Sequence, residues 1–365
     1  MSDRRKFLKA GLLAGLSASL TPAGVFGAAT GPQPEKTFRH WVWMRPRESD
    51  TDADLQKQYR RFAQAGIVGV FFEADSERHF RLARDKGLQA HRWMWTLNRG
   101  EKSLLQAHPE WYSVNRKGES CANKPPYVDY YRWLCPSREE VAVYLEDDVR
   151  RILANDWVDG IHLDYVRFCD VILPVNLWDN YKIEQTKELP EYDYCYCAVC
   201  RQKFSSWKGM ELDTIQYPEE SLSWRAYRYN AVTNIVNRLA IVAAAARKPI
   251  TAAVLPTPEV ARRNVRQDWP AWNLDGICPM IYHGFYKEDV SWIGSAVEEG
   301  IKGLHGKFPL YAGLYLPDFS NAAEVQKGIT AALQKGAAGV SLFGNVTEGV
   351  LQALEKASAS AIKTE

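Results

Sequence analysis

The sequence lacks an excess of charge of either sign. Its 46 Lys and Arg stand against 44 Asp and Glu, a formal net charge of +2. Beyond the N-terminus no basic run is long enough to suggest a nucleic-acid-binding stripe, so no nucleic-acid partner is expected. Beyond that same terminus no apolar run is long enough to cross a bilayer. There is no Walker motif, no GxSxG elbow and no HExxH pair, so these phosphate-binding, serine-hydrolase and zinc-protease signatures are missing. No Pro/Gly/Ser-rich linker divides the chain. What is present is 365 residues, 46% hydrophobic and 25% charged, an ordinary globular composition with enough chain for a large core.

The first residues include Arg4-Arg5-Lys6-Phe7-Leu8-Lys9. A mild apolar stretch from Ala10 to Phe26 follows, and then the small residues Gly27, Ala28 and Ala29. This is the pattern of a twin-arginine export signal over residues 1–29, cleaved near 27–29, with the mature protein periplasmic or extracellular. The alternative is a retained N-terminal anchor. The stretch is short and rich in Gly, Ala and Ser, which disfavours a membrane span. The twin-arginine route carries folded proteins and is compatible with a metal loaded inside the cell.

From residue 36 to 360, strand-like and helix-like patterns alternate. The expected strands are Phe38–Arg45, Val68–Ala74, Leu88–Leu97, Gly160–Phe168, Ile250–Leu255, Gly276–His283, Leu310–Leu316 and Ala338–Gly344. Helical spacing marks Asp52–Ala65, Arg138–Leu153, Leu222–Ala246 and Ala322–Gln334. Gly66, Gly87, Gly336 and Gly339 fall where helices would turn into strands. Eight such repeats predict a single (β/α)8 barrel with a long insertion, about Cys169 to Ser221, after the fourth strand. The segment Glu101–Tyr131, after the third strand, is the second irregular region. A doubly wound sheet is the alternative, but it would place a Gly-rich turn after the first strand. The chain there reads Met44-Arg45-Pro46-Arg47-Glu48.

Residues 159–168 read Asp-Gly-Ile-His-Leu-Asp-Tyr-Val-Arg-Phe. Side chains alternate along a strand, so Ile161 and Leu163 share one face, while His162 and Asp164 share the other. With Ile161 and Leu163 under the helices, Asp164 points inward, where a carboxylate needs a reason. Polar residues at C-terminal strand ends are where barrels build active sites. Here those ends supply carboxylates, aromatics, His, Arg and Asn. Such a mixture suits sugar recognition: aromatic rings cover pyranose C–H faces, and carboxylates and amides bond hydroxyls.

Cleavage of a glycosidic bond needs two carboxyl groups in different settings, one protonated and one ionised. Asp164 is the expected ionised group, with Arg167 close enough in sequence to lower its pKa. Alternatively, Asp164 and Arg167 form an ion pair on the barrel rim. Glu73 follows Val70-Phe71-Phe72 and is the expected protonated partner. It could instead cap the helix starting near Ser76, a role Asp75 fits better. Asp318 and Glu259 are reserves. His162 is expected to orient Asp164 or a sugar hydroxyl rather than bind metal. Tyr282, His283 and Asn345 are expected at the same mouth. Trp41, Trp43, Trp93 and Trp95 alternate at period two, mostly as barrel core, with Trp95 the first choice for a sugar contact and Trp43 also placed in the site. A carbohydrate-binding barrel without catalysis remains open. So does a polysaccharide lyase or epimerase, with His162, His283 or Tyr282 as base and Arg167 neutralising a uronate.

Seven cysteines leave at least one unpaired or liganded. Cys195, Cys197 and Cys200 form CxCxxC in the long insertion, a spacing that can hold a structural Zn2+ with a fourth ligand from Cys169, Cys121 or Cys135. Disulfides or free buried thiols are the alternatives. No catalytic metal or other cofactor is expected.

Residues Asp159 to Phe168, and the later Pro279-Met280-Ile281-Tyr282, resemble strands of the family-10-like glycosyl hydrolases. The first stretch matches that family's Asp-Gly-Ile-His-Leu-Asp-Tyr-Val/Ile-Arg-Tyr/Phe pattern almost position by position. The resemblance implies a carbohydrate-active barrel with Asp164 central. The first strand, Phe38-Arg39-His40-Trp41-Val42-Trp43, departs from the family's Arg-Gly-Val/Trp-Trp entry.

Overall fold

The computed structural model describes residues 37–363; the expected export signal lies outside the described residues. Eight parallel strands form a ring: β1 (His40–Met44), β2 (Ile67–Phe72), β3 (Gln89–Trp95), β4 (Gly160–Asp164), β5 (Ile250–Val254), β6 (Gly276–Pro279), β7 (Tyr311–Tyr315) and β8 (Gly339–Phe343). Their order is β6-β5-β4-β3-β2-β1-β8-β7. The ring closes through bridges from Ile277 to Leu310 and from Met280 to Gly313. Helices intervene between strands, as a (β/α)8 barrel requires.

The alternation read from the sequence sets the two faces. Val42, Val70, Ile161, Leu163, Val254 and Leu342 pack outward in the main core. Trp41, Trp43, Phe71, Trp93, Ala253, Cys278 and Tyr311 fill the inside of the ring. Large inward rings are matched by inward glycines on the neighbouring strand. Gly69 pairs with Trp41 and Gly160 with His91. A Cβ on Gly160 would lie 2.7 Å from the His91 ring and 2.8 Å from the Pro249 carbonyl. Gly66, Gly87 and Gly336 take positive φ at helix ends. Gly339 does not; it is a strand residue whose missing Cβ lets the Arg39 backbone pass.

Two strands end earlier than the apolar pattern implies. β4 stops at Asp164 because Tyr165 turns into the left-handed region, φ 49°, which costs a non-glycine residue ~1–2 kcal/mol. β6 stops at Pro279, and the chain folds into a short 3-10 turn over His283–Tyr286. The helices Asp52–Gln64, Glu139–Leu153, Leu222–Ala245 and Ala322–Gln334 fall where helical spacing placed them. A further helix, Glu348–Lys363, follows β8. Among the described residues no helix is long and apolar enough to cross a membrane.

The insertion after β4 folds back over the barrel and is anchored by buried charge. Asp193 has no exposed side-chain surface and pairs with the equally buried Arg228. It also accepts from the Tyr196 hydroxyl at 2.6 Å. Arg266 pairs with Glu188 beside it. Burial pushes the Asp193 carboxyl up, but Arg228, Arg266 and the Tyr196 hydroxyl outweigh it and hold the group below the usual carboxylate range.

Two outcomes follow from this packing. Gly160→Ala is expected to cost ~1–3 kcal/mol by overpacking against His91, read as a lower denaturant midpoint with unchanged slope. Because the pKa of Asp193 is depressed on folding, its contribution is complete above about pH 4 and fades as pH falls through the folded value. Amide protection over residues 165–221 is therefore expected to fall on acidification before that of the strands. Asp193→Asn, which leaves the buried Arg228 guanidinium without its ion-pair partner while Arg266 keeps Glu188, is expected to cost ~3–5 kcal/mol at neutral pH in the same exchange experiment.

Candidate active site

A cavity of about 570 Å³ opens at the C-terminal ends of the strands. β1 contributes Trp43, β3 Trp93 and Trp95, β4 Asp164, and β5 the small Ala253. Glu73 enters from just beyond β2, and Tyr282 from just beyond β6. Tyr315 and Phe343, the last residues of β7 and β8, complete the circuit.

Asp164 is 7% exposed. One carboxyl oxygen accepts the Tyr165 backbone N–H at 2.6 Å and the other accepts the Trp93 indole N–H at 3.0 Å. The Tyr165 bond is the local product of the left-handed turn that ends β4. Burial raises the Asp164 pKa; the Tyr165 and Trp93 donors and the Arg167 charge oppose this without cancelling it, and the Glu73 charge adds to the rise. Glu73 itself lies in an ion pair with Arg45 at 2.6 Å. The apolar setting expected around Glu73 is found around Asp164 instead.

Arg167 lines the cavity but pairs with Asp170 at 2.8 Å, not with Asp164. Its guanidinium lies over the rings of Trp133 and Tyr165, 4.8 and 5.3 Å from their centroids. Asp170, buried and also on the cavity wall, was not singled out from the sequence. Its only signal is its place three residues after Arg167. Trp95 packs on Tyr165 with ring centroids 4.8 Å apart, and its indole N–H has no partner among the described residues. Tyr282 and Tyr315 face each other at 5.3 Å. Tyr131, Phe285, Tyr286 and Phe343 form an aromatic wall together with Tyr315, a residue the sequence places at the end of the seventh strand; the other four carry no sequence signal for the site.

Three expected site residues lie elsewhere. His162 points inward, but one layer below the cavity. It stacks on Phe71 at 3.8 Å, and its Nε2 accepts the Trp43 indole N–H at 2.9 Å. Its Nδ1 therefore donates to the Thr251 hydroxyl at 2.8 Å. Burial keeps this ring neutral, its pKa well below the usual value. Its contact with the site is indirect, through the orientation of Trp43. His283 is turned away against Phe319, at 4.8 Å, because the chain has already entered the turn after β6. Asn345 is exposed and opens onto a separate groove beside β1. Of the reserves, Asp318 accepts the Gly284 N–H at 3.1 Å, and Glu259 sits in the first turn of the helix Pro258–Val265. Neither lines the cavity. Asp75 does not cap the following helix; it pairs with Arg92 at 2.6 Å. Among the described residues the one cluster fit to hold a metal is a group of four cysteines, Cys135 with Cys195, Cys197 and Cys200. None of the four lines the cavity.

No family model and no curated protein matches the chain. Solved structures share its architecture. The PgaB (BpsB) glycoside hydrolase domain from Bordetella bronchiseptica superposes with a TM-score of 0.64 at 10% identity, over 88% of this chain and 99% of that one. The catalytic domain of beta-amylase from Paenibacillus polymyxa gives 0.62 at 10% identity, over 90% and 99%. Alpha-L-fucosidase isoenzyme 2 from Paenibacillus thiaminolyticus gives 0.54 at 12% identity, over 89% of this chain and 49% of that one. The fold is thus a (β/α)8 barrel of the kind found in glycoside hydrolases.

The electrostatics of Asp164 can be measured directly. Carboxyl carbon shifts followed through a pH titration are expected to show Asp164 titrating above the ordinary aspartate value of about 3.9. Trp93→Phe removes a donor that favours the charged form, so it is expected to raise that value further. An unshifted midpoint in both proteins would contradict the burial described here.

Proposed function

We propose that this protein is an exported glycoside hydrolase that cleaves glycosidic bonds of an oligo- or polysaccharide with Asp164 and Glu73 as its two carboxyl groups. The observation that carries this reading is a buried carboxyl with a raised pKa, Asp164, sharing an aromatic-lined cavity with a second carboxyl held in an ion pair. The likeness of fold to glycoside hydrolases and the motif resemblance around Asp164 support it. The export half of the reading comes from Arg4, Arg5 and the small residues at 27–29.

The environments distribute the roles in the reverse of the sequence expectation. Asp164, whose pKa burial raises, is the carboxyl better suited to carry a proton and to donate it to the glycosidic oxygen as that bond breaks. Glu73, in contact with Arg45, is the carboxyl that supplies negative charge to the oxocarbenium-like centre. Trp43, Trp95 and Tyr282 offer faces for the C–H surfaces of a sugar, and the Tyr282 hydroxyl, its pKa raised by burial, stays a donor. A lyase or epimerase with a histidine base is less well supported, because His162 and His283 both lie off the cavity.

The test is hydrolysis of a glycan panel. Asp164→Asn and Glu73→Gln are each expected to lower kcat by about 10²–10⁴-fold, with glycan binding retained as quenching of the cavity tryptophans. Since the acid must carry its proton, wild-type activity is expected to fall as pH rises through the Asp164 pKa. Unchanged turnover in Asp164→Asn removes it from the mechanism. Binding without hydrolysis by the wild type across the panel favours the non-catalytic carbohydrate-binding barrel.

A further inference from the structure

Outside the cavity, Cys135, Cys195, Cys197 and Cys200 bring their sulfurs within 4.8 Å of one another, all buried. We propose that these four thiolates form a closed structural Zn2+ site that clips the loop after β3 to the loop after β4. The dimensions fit a single tetrahedral ion. Zn–S bonds of about 2.3 Å give sulfur–sulfur edges of about 3.8 Å. The Cys135 sulfur lies 3.7 Å from that of Cys197 and 3.4 Å from that of Cys200. Disulfide bonding would require about 2.05 Å, and all four are free thiols. A cluster of two or more irons would spread its thiolates over different metal atoms, farther apart than this group allows.

The donor set selects the ion and its task. Four soft sulfurs in tetrahedral array suit zinc, and with every position filled by protein the site is structural rather than catalytic. On binding, each thiol gives its proton to solvent, which leaves a zinc tetrathiolate of net charge −2. The surroundings answer that charge. The Val114 backbone N–H donates to the Cys195 sulfur at 3.3 Å. Cys197 is the N-cap of the 11-residue helix Ala198–Lys208, and Cys200 lies in its first turn, so two of the thiolates sit at the positive end of the helix dipole.

The clip spans two loops that both build the cavity. Cys135 follows Tyr131 on the loop after β3, while the other three lie on the loop that carries Tyr165, Arg167 and Asp170. The loops already touch beside the cluster: Asn115 bridges Tyr194, and the Tyr196 N–H donates to the Val114 carbonyl at 2.7 Å. Zinc at this point would fix the spacing of two cavity walls.

The full chain, purified under reducing conditions without added metal, is expected to carry one zinc ion by mass spectrometric metal analysis. Co2+ exchanged into it is expected to show the visible d–d and sulfur-to-metal charge-transfer bands of a tetrahedral thiolate site. Cys197→Ser and Cys200→Ser are expected to lose the zinc, and Cys278→Ala, inside the barrel, to keep it. Should the serine variants fail to fold, mercurial titration of the wild type decides: zinc is expected to leave as four thiols react. Hydrogen exchange after zinc removal is expected to quicken over 96–138 and 165–221 but not in the strands. Protein that neither carries zinc nor binds it when titrated, or a disulfide joining any two of the four cysteines, overturns the proposal. Stoichiometric iron in place of zinc overturns the choice of ion.

Discussion

Burying a carboxyl group among aromatic rings is the constraint around which the mouth of this barrel is arranged. Without partners, Asp164 would be costly in either protonation state. The Trp93 indole and the Tyr165 N–H make it tolerable, and each demands something of the backbone. Trp93 must be one residue pair away on β3, directly opposite His162, so that its ring can reach up to the carboxyl. Tyr165 must leave the strand in a left-handed conformation. The early end of β4, the rise of the long loop and the placement of Arg167 over Trp133 all follow from that turn.

The loop itself poses a different problem. A loop of this kind wraps no large apolar core of its own; Phe168, Tyr196, Phe204 and Leu212 join the main core, and groups whose bonding is directional add to that hold. The Asp193–Arg228 pair and its neighbours Arg266 and Glu188 are such groups. Directional anchors of this kind contribute less net stability than good apolar packing. They do fix geometry, which is what a surface that must present side chains to a cavity requires.

The barrel was legible in the sequence because its inward and outward faces differ in kind. Rings and glycines alternate with Val, Ile and Leu, and the eight expected strands all overlap observed ones. Strand ends were less legible, since nothing local announces that Tyr165 will turn left-handed. Asp164 was legible as a site residue from the alternation alone, yet its setting was not. The apolar neighbours of Glu73 in sequence point elsewhere, Phe72 out to the helices and Phe71 into the ring below, while Arg45 reaches Glu73 from the adjacent strand. His162 was placed on the correct face but at the wrong depth: two residues along a strand amount to about 6.5 Å, enough to separate cavity wall from barrel filling. The fourth cysteine could not be chosen among Cys121, Cys135 and Cys169, because that choice depends on how two loops cross.

The join between β6 and β7 differs from the other seven. It is made by isolated bridges at Ile277 and Met280 rather than a continuous ladder. Gly313 makes even this approach feasible, since a Cβ there would lie 2.6 Å from the Pro279 carbonyl. Tyr282 and Tyr315, each two residues beyond the Met280–Gly313 bridge, bring their ring centroids within 5.3 Å of each other. A hoop with one thin weld yields there first under load. A guest wedged between those two phenols would strain this weld before any other, giving the rim a preferred direction in which to widen.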